Sequence, residues 1–257
     1  MKKVVIIIPL YKPHLNEYEI ISVSQTCNVL NRYPIVIVHP EGMDTSTLSS
    51  LFKNVSFHAF PEEYFAGIMG YNRLMLSTDF YEAFMDYEYM LICQSDAYIF
   101  RDELEEWCDK GYSYIGAPWL RRKVYDFPIL KQCMQLSLWY KHKKGKRSKQ
   151  DLYNKIGNGG LSLRRVRSFY NFLSNNKQLV ALYTNRKKKY HLFNEDVFWA
   201  LEPNNFSYSP VSEALTFAFD KYPKYSYKLT GGKLPFGCHA WYKHKMKSFW
   251  MPIIGFN

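Results

Sequence analysis

The tightest constraint on this chain lies in its first residues. Lys3-Val4-Val5-Ile6-Ile7-Ile8 is an unbroken, β-branched apolar run stopped by Pro9. A strand with one wet face alternates apolar and polar residues, so a run without alternation reads as a strand buried on both faces of a parallel sheet. The run is also far shorter than the roughly 18 apolar residues that a membrane-spanning helix needs.

The segments that follow repeat the theme. Leu15 to Leu30 spaces Ile20, Ile21, Val23, Cys27 and Leu30 as a helix would, and Pro34-Ile35-Val36-Ile37-Val38-His39-Pro40 is a second buried strand. A short helix is expected over 45–52, a third strand over 55–60, one or two helices over 68–85 and a fourth strand at Tyr89-Met90-Leu91-Ile92-Cys93. Strands alternating with helices over the first hundred residues predict an open, mainly parallel sheet whose ligand crevice lies at the carboxyl ends of its strands. The second half is less regular: a strand-like Tyr112 to Gly116, Gly157 to Leu163, a helix near Arg164 to Leu173 and an aromatic tail. With 257 residues, no internal repeat and no Pro/Ser-rich linker, one continuous domain is the simplest description.

Charge is concentrated rather than spread. The chain carries 34 Lys and Arg against 23 Asp and Glu, yet residues 121–150 alone hold ten of the basic residues and a single acid, Asp126, a local excess of +9. The densest part, Lys141 to Lys149, follows the apolar Met134-Gln135-Leu136-Ser137-Leu138-Trp139-Tyr140. That arrangement suits a solvated surface insertion or a loop or helix facing anionic lipid head groups. Nucleic acid is the weaker reading, because base-stacking aromatics are not interleaved along a basic face. Met1-Lys2-Lys3 and the short run behind it do not read as a secretory signal. The five cysteines are scattered, with no C-x-x-C pair, which argues against a disulfide framework or structural zinc and for a reduced, cytoplasmic setting.

Several residues stand where chemistry is done, each with a plainer reading beside it. Asp96 follows a strand by a few residues and would project into the crevice, although a post-strand Asp also makes turns. Asn158-Gly159-Gly160 permits close approach to a ligand or forms an ordinary turn. Asn194-Glu195-Asp196 opens an apolar run as an N-cap with first-turn acids, and the same two carboxylates could serve a cleft as base and hydroxyl-orienting group. His239 is a lone histidine that acquires meaning only with a partner. Trp119 and Trp241 read first as core aromatics and second as sugar-stacking faces.

Taken in order, Ile8-Pro9, Tyr71-Asn72-Arg73-Leu74, Gln94-Ser95-Asp96, Asn158-Gly159-Gly160-Leu161-Ser162-Leu163, Glu195-Asp196 and His239 resemble the elements of GT-A-fold glycosyltransferases of the galactosyltransferase type. Leu234-Pro235-Phe236-Gly237-Cys238-His239-Ala240-Trp241 is similar to a closing motif of an uncharacterised bacterial and viral group near those enzymes. The resemblance implies a GT-A-like (Rossmann-like) α/β fold, mainly parallel, as a single domain over 1–257. It implies a nucleotide-binding half over 1–100 and an acceptor and catalytic half over 101–257 that includes the basic insertion 121–150.

The resemblance further implies a hexose transferred from a nucleotide diphosphate sugar, UDP-sugar favoured, to a glycan or lipid-linked acceptor. Pro9 and Tyr11 would embrace the nucleotide, Asn72 and Arg73 would contact base or diphosphate, and Gly159 and Gly160 would line the donor sugar. Asp96 and His239 would hold Mn²⁺ or Mg²⁺, with Gln94 standing where the family has the first Asp of its Asp-x-Asp. Asp196 would act as base in an inverting reaction, with Glu195 binding the acceptor. The competing expectations are an inactive nucleotide-sugar or glycan-binding protein, and a basic scaffold at a membrane or nucleic acid. The unpaired cysteines, the start of the chain and the basic insertion together lead to an expected place in the cytoplasm or peripherally at the inner face of a membrane.

Overall fold

The structure is a computed structural model that describes residues 1–121, 123–185 and 190–255; Arg122 of the basic stretch lies outside the described residues. Six strands form one sheet: β1 (Lys2–Pro9), β2 (Ile35–Pro40), β3 (Val55–Phe60), β4 (Tyr87–Cys93), β6 (Tyr114–Gly116) and β7 (Leu161–Arg165), in the order β3-β2-β1-β4-β7-β6. The first four are parallel, and β7 runs antiparallel to both β4 and β6.

The unbroken run in β1 has a direct explanation. Because successive side chains point to opposite faces, Val4, Ile6 and Ile8 enter one core with Leu30, Ile37 and Leu91. Val5 and Ile7 enter the other with Val36, Val38, Met90, Ile92 and Phe169. Helices cover both faces, and helix Glu17–Val29 starts from a capping box in which Asn16 and Glu19 satisfy each other's backbone N–H. The result is a single α/β domain.

A second, three-stranded sheet is made of very short pieces, β5 (Ala97–Ile99), β8 (Ala218–Phe219) and β9 (Gly237–His239), in the order β5-β9-β8. Its register pairs Ala97 with His239 and Phe219 with Cys238. Residues far apart in sequence, Asp96, Asp220 and His239, are thereby brought to one end of one small sheet. The backbone turns sharply right after it, with Ala240 held in the left-handed region at φ 57°. The basic stretch contributes a helix, Pro128–Lys143, that buries none of its residues.

Candidate active site

The strand order reverses between β1, with β2 on one side, and β4 on the other, which is where an open α/β sheet leaves a crevice. A cavity of about 550 Å³ lies there, lined by Pro9 and Tyr11 after β1, by Gln94, Ser95 and Asp96 after β4, and by Glu19, Tyr71 and Lys243 among others. Four of the residues singled out from the sequence, Pro9, Tyr11, Gln94 and Asp96, therefore share one wall.

Asp96 and His239 meet at the edge of this cavity, Oδ1 to Nε2 at 3.0 Å. The same Nε2 lies 3.2 Å from Gln94 Oε1, and the other ring nitrogen, Nδ1, faces Asp220 Oδ1 at 3.3 Å. Lys243 Nζ sits 2.8 Å from the second Asp96 oxygen. Burial works against the Asp96 charge, but His239 and Lys243 outweigh it and hold this carboxyl well below the usual carboxylate range. Burial likewise opposes charge on His239, yet the carboxylates of Asp96 and Asp220 push its pKa up to about 9. The imidazole is gripped from both sides and its orientation is fixed.

The paired glycines make room for this arrangement. A Cβ on Gly160 would overlap the His239 ring, and one on Gly159 would overlap the Glu195 carboxylate. Asn158 takes the left-handed turn at φ 68°, and its Oδ1 accepts from the Gly160 N–H at 3.0 Å.

Behind the cavity lies a buried ion pair, Arg164 Nη2 to Glu195 Oε2 at 3.1 Å. Arg164 is fully buried and also donates to Ser162 Oγ and Tyr81 Oη. Glu195 thus faces Arg164 in the interior. Asp196, half-buried beside it, accepts a hydrogen bond from the Val197 N–H at 2.8 Å. Burial first, and the neighbouring Glu195 carboxylate second, push Asp196 up to about 7.

Asn72 Oδ1 accepts from the Glu195 N–H at 3.0 Å, so its amide anchors the start of helix Glu195–Leu201. Arg73 Nη2 donates to the Glu63 carbonyl at 2.9 Å. Trp241 is wholly buried, with Nε1 donating to Ser22 Oγ, and so is a core residue. Trp119 packs against Gly157.

Sequence reasoning missed Asp220, Lys243 and Arg164. Asp220, like Asp96, comes soon after a strand, but that strand is two residues long and leaves no pattern to read. Lys243 stands four positions after His239, where the left-handed turn at Ala240 brings it back to Asp96.

A divalent cation can be tested against this geometry. Among the described residues no cluster of three or more His, Cys, Asp or Glu is placed to enclose a metal. The separations of Asp96 Oδ1 and Gln94 Oε1 from His239 Nε2, 3.0 and 3.2 Å, nevertheless match adjacent corners of an octahedron with bonds of about 2.1 Å, whose edge is roughly 3.0 Å. Asp220 on the far ring nitrogen is the usual support of a metal-binding histidine. The residues fit a partial shell once the His239 ring gives up a proton and Lys243 leaves Asp96, changes that a bound cation would itself favour.

Comparison with solved structures agrees with the topology. The galactosyltransferase LgtC, solved in complex with donor and acceptor sugar analogs, matches with a TM-score of 0.59 at 13% identity, covering 98% of this chain and 94% of that one. The glycosyltransferase GlyE of Streptococcus pneumoniae TIGR4 matches with a TM-score of 0.52 at 12% identity, covering 95% of this chain and 56% of that one. At such identities the likeness establishes the GT-A fold alone. No curated protein matches the chain by sequence. A family model described as a protein of unknown function, DUF5672, matches residues 54–239, and the chain accordingly belongs to that family.

Proposed function

We propose that the chain is a glycosyltransferase that moves a hexose from a nucleotide diphosphate sugar, with UDP as the favoured nucleotide, to a glycan or lipid-linked acceptor. The observation that carries the reading is that Asp96 and Gln94, which line a cavity at the sheet's reversal point, both meet His239. In this reading residues 1–100 hold the nucleotide and 101–257 shape the acceptor side, in a reduced, cytoplasmic setting that suits five unpaired cysteines.

Asp96 and His239, with Gln94, would hold Mn²⁺ or Mg²⁺. The cation would neutralise charge developing on the diphosphate. Pro9 and Tyr11 border the nucleotide, and Lys243 keeps the Asp96 carboxylate ionised until the cation binds. Gly159 and Gly160 let the backbone approach the donor sugar. Asp196 takes the proton of the acceptor hydroxyl as the new carbon–oxygen bond forms, which gives inversion at the anomeric carbon. Its raised proton affinity suits that task, because a base works best when its pKa lies near the operating pH.

The test is a panel of nucleotide sugars assayed for Mn²⁺-dependent hydrolysis, with Asp196→Asn alongside. Loss of turnover with donor binding retained supports the base; unchanged turnover removes it. The Lys243 contact to Asp96, together with Gln94, favours as a second reading a nucleotide-sugar-binding protein without catalysis. Calorimetry of UDP separates the two: metal-independent binding with no donor hydrolysis upholds the second.

A further inference from the structure

Helix Pro128–Lys143 is sixteen residues long, and none of them is buried. Its inner side has only Met134, Leu138 and Lys141 half-buried. On the outer side Ile129, Cys133, Leu136 and Tyr140 follow one another at helical spacing and form a single stripe. Ile129 is 72% exposed, Leu136 68% and Tyr140 53%, and Trp139, at the edge of the stripe, is 61% exposed. Apolar residues this exposed at this spacing mark a face that meets something apolar.

Charge identifies the partner. Lys143 Nζ lies over the Trp139 ring at 5.1 Å and Lys144 Nζ over the Tyr140 ring at 4.2 Å. Each ammonium therefore lies over the face of an aromatic ring, which puts positive charge beside exposed apolar surface, the combination that a lipid–water boundary accommodates. Arg121, His142 and Arg147 are paired with Asp126, Asp151 and Glu202. Lys131, Lys143, Lys144 and Lys146 have no acidic partner among the described residues and are exposed. A protein partner would need to offer both a long apolar groove and acids on both sides of it. Nucleic acid offers no surface for the aliphatic Ile129 and Leu136. An anionic bilayer offers both an apolar layer and a uniform negative plane.

We propose that the outer face of helix Pro128–Lys143 docks in the plane of an anionic phospholipid bilayer, with Ile129, Leu136, Trp139 and Tyr140 entering the acyl boundary and Lys143 and Lys144 on the head groups. The full chain is sedimented with phosphatidylcholine vesicles with and without phosphatidylglycerol. The docking face predicts binding that requires the anionic lipid, weakens with added salt, and brings a blue shift of fluorescence that Trp139→Phe removes. Leu136→Ser with Tyr140→Ser, and separately Lys143→Glu with Lys144→Glu, should each weaken binding by about tenfold or more. These side chains are solvated, so circular dichroism and melting temperature should stay unchanged, which separates lost docking from lost folding. No binding to anionic vesicles overturns the proposal. So does binding unaffected by the Leu136 and Tyr140 substitutions, or equal retention of an RNA or DNA duplex by the same lysines.

Discussion

A methyl group added at Gly160 would strike the His239 imidazole, and one added at Gly159 would strike the Glu195 carboxylate. The two glycines are therefore set by neighbours distant in sequence, and their effects should differ. Gly160→Ala is expected to lower donor turnover by about tenfold or more, because a displaced His239 loses its place beside Asp96. Gly159→Ala is expected to act mainly on stability, read as a lower midpoint in chemical denaturation. Asp196 gives a prediction with a sign. Its carboxylate must be ionised to take a proton, and its pKa is pushed up to about 7, so kcat/KM should rise with pH through about 7. The same shift places a cost on the folded state. An acid whose folded pKa is raised contributes stability at low pH that is lost as pH climbs through the folded value. Asp196→Asn should accordingly raise the melting temperature more at pH 8 than at pH 5. At this scale the sequence was only half legible. Asp96 and His239 stand out by position after a strand and by motif, whereas Asp220 follows a strand of only two residues and Lys243 faces the site only because the backbone turns at Ala240.

Among the elements, β7 shows how a strand can hide its purpose. Leu161-Ser162-Leu163 reads as an ordinary half-apolar strand, and Arg164 after it looks like a surface cation. In the structure Arg164 is fully buried and meets Glu195, Tyr81 and Ser162. A buried arginine is legible only through its partners, and Glu195 stands 31 positions away. Removing one member of such a pair leaves an unbalanced interior charge, so Arg164→Met is expected to cost about 3–5 kcal/mol by urea denaturation. Adding Glu195→Gln should recover part of that loss, because no carboxylate is then stranded. The longer strands were easier. β1 and β2 were readable from their β-branched runs, since burial on both faces leaves a pattern in the residues themselves, whereas β3 at the sheet edge is only partly buried and β4 is marked by its apolar Met90-Leu91-Ile92-Cys93. The three-stranded sheet left no such trace, because segments of two or three residues carry no period.

At the scale of the molecule, one sheet separates two cores and leaves its crevice open at the reversal point, the GT-A plan. If the cavity there takes a nucleotide diphosphate, ligand should stabilise the whole chain: UDP with Mn²⁺ at about a hundred times its dissociation constant adds roughly 2.7 kcal/mol, visible as a higher melting temperature. Absence of any shift over a range of nucleotides would count against the site. Alternating strands and helices make the open parallel sheet legible, the GT-A plan comes only with the ordered motifs, and residues 128–143 suit a loop as well as a helix because their apolar side chains serve no core.

Helix Pro128–Lys143 also divides the chain in a way that its lack of buried residues makes testable. Strands β4, β5 and β6 precede it and β7 and β9 follow it, so every ladder that joins β4 and β6 to β7, or β5 to β9, connects the two sides. A cut within this helix severs the polypeptide while leaving those ladders whole. Trypsin, which has several lysines to choose from here, should produce a nicked protein that runs as two bands in denaturant and elutes as one particle in native buffer, its paired fragments held together by the sheets and by the apolar layers on either side of them.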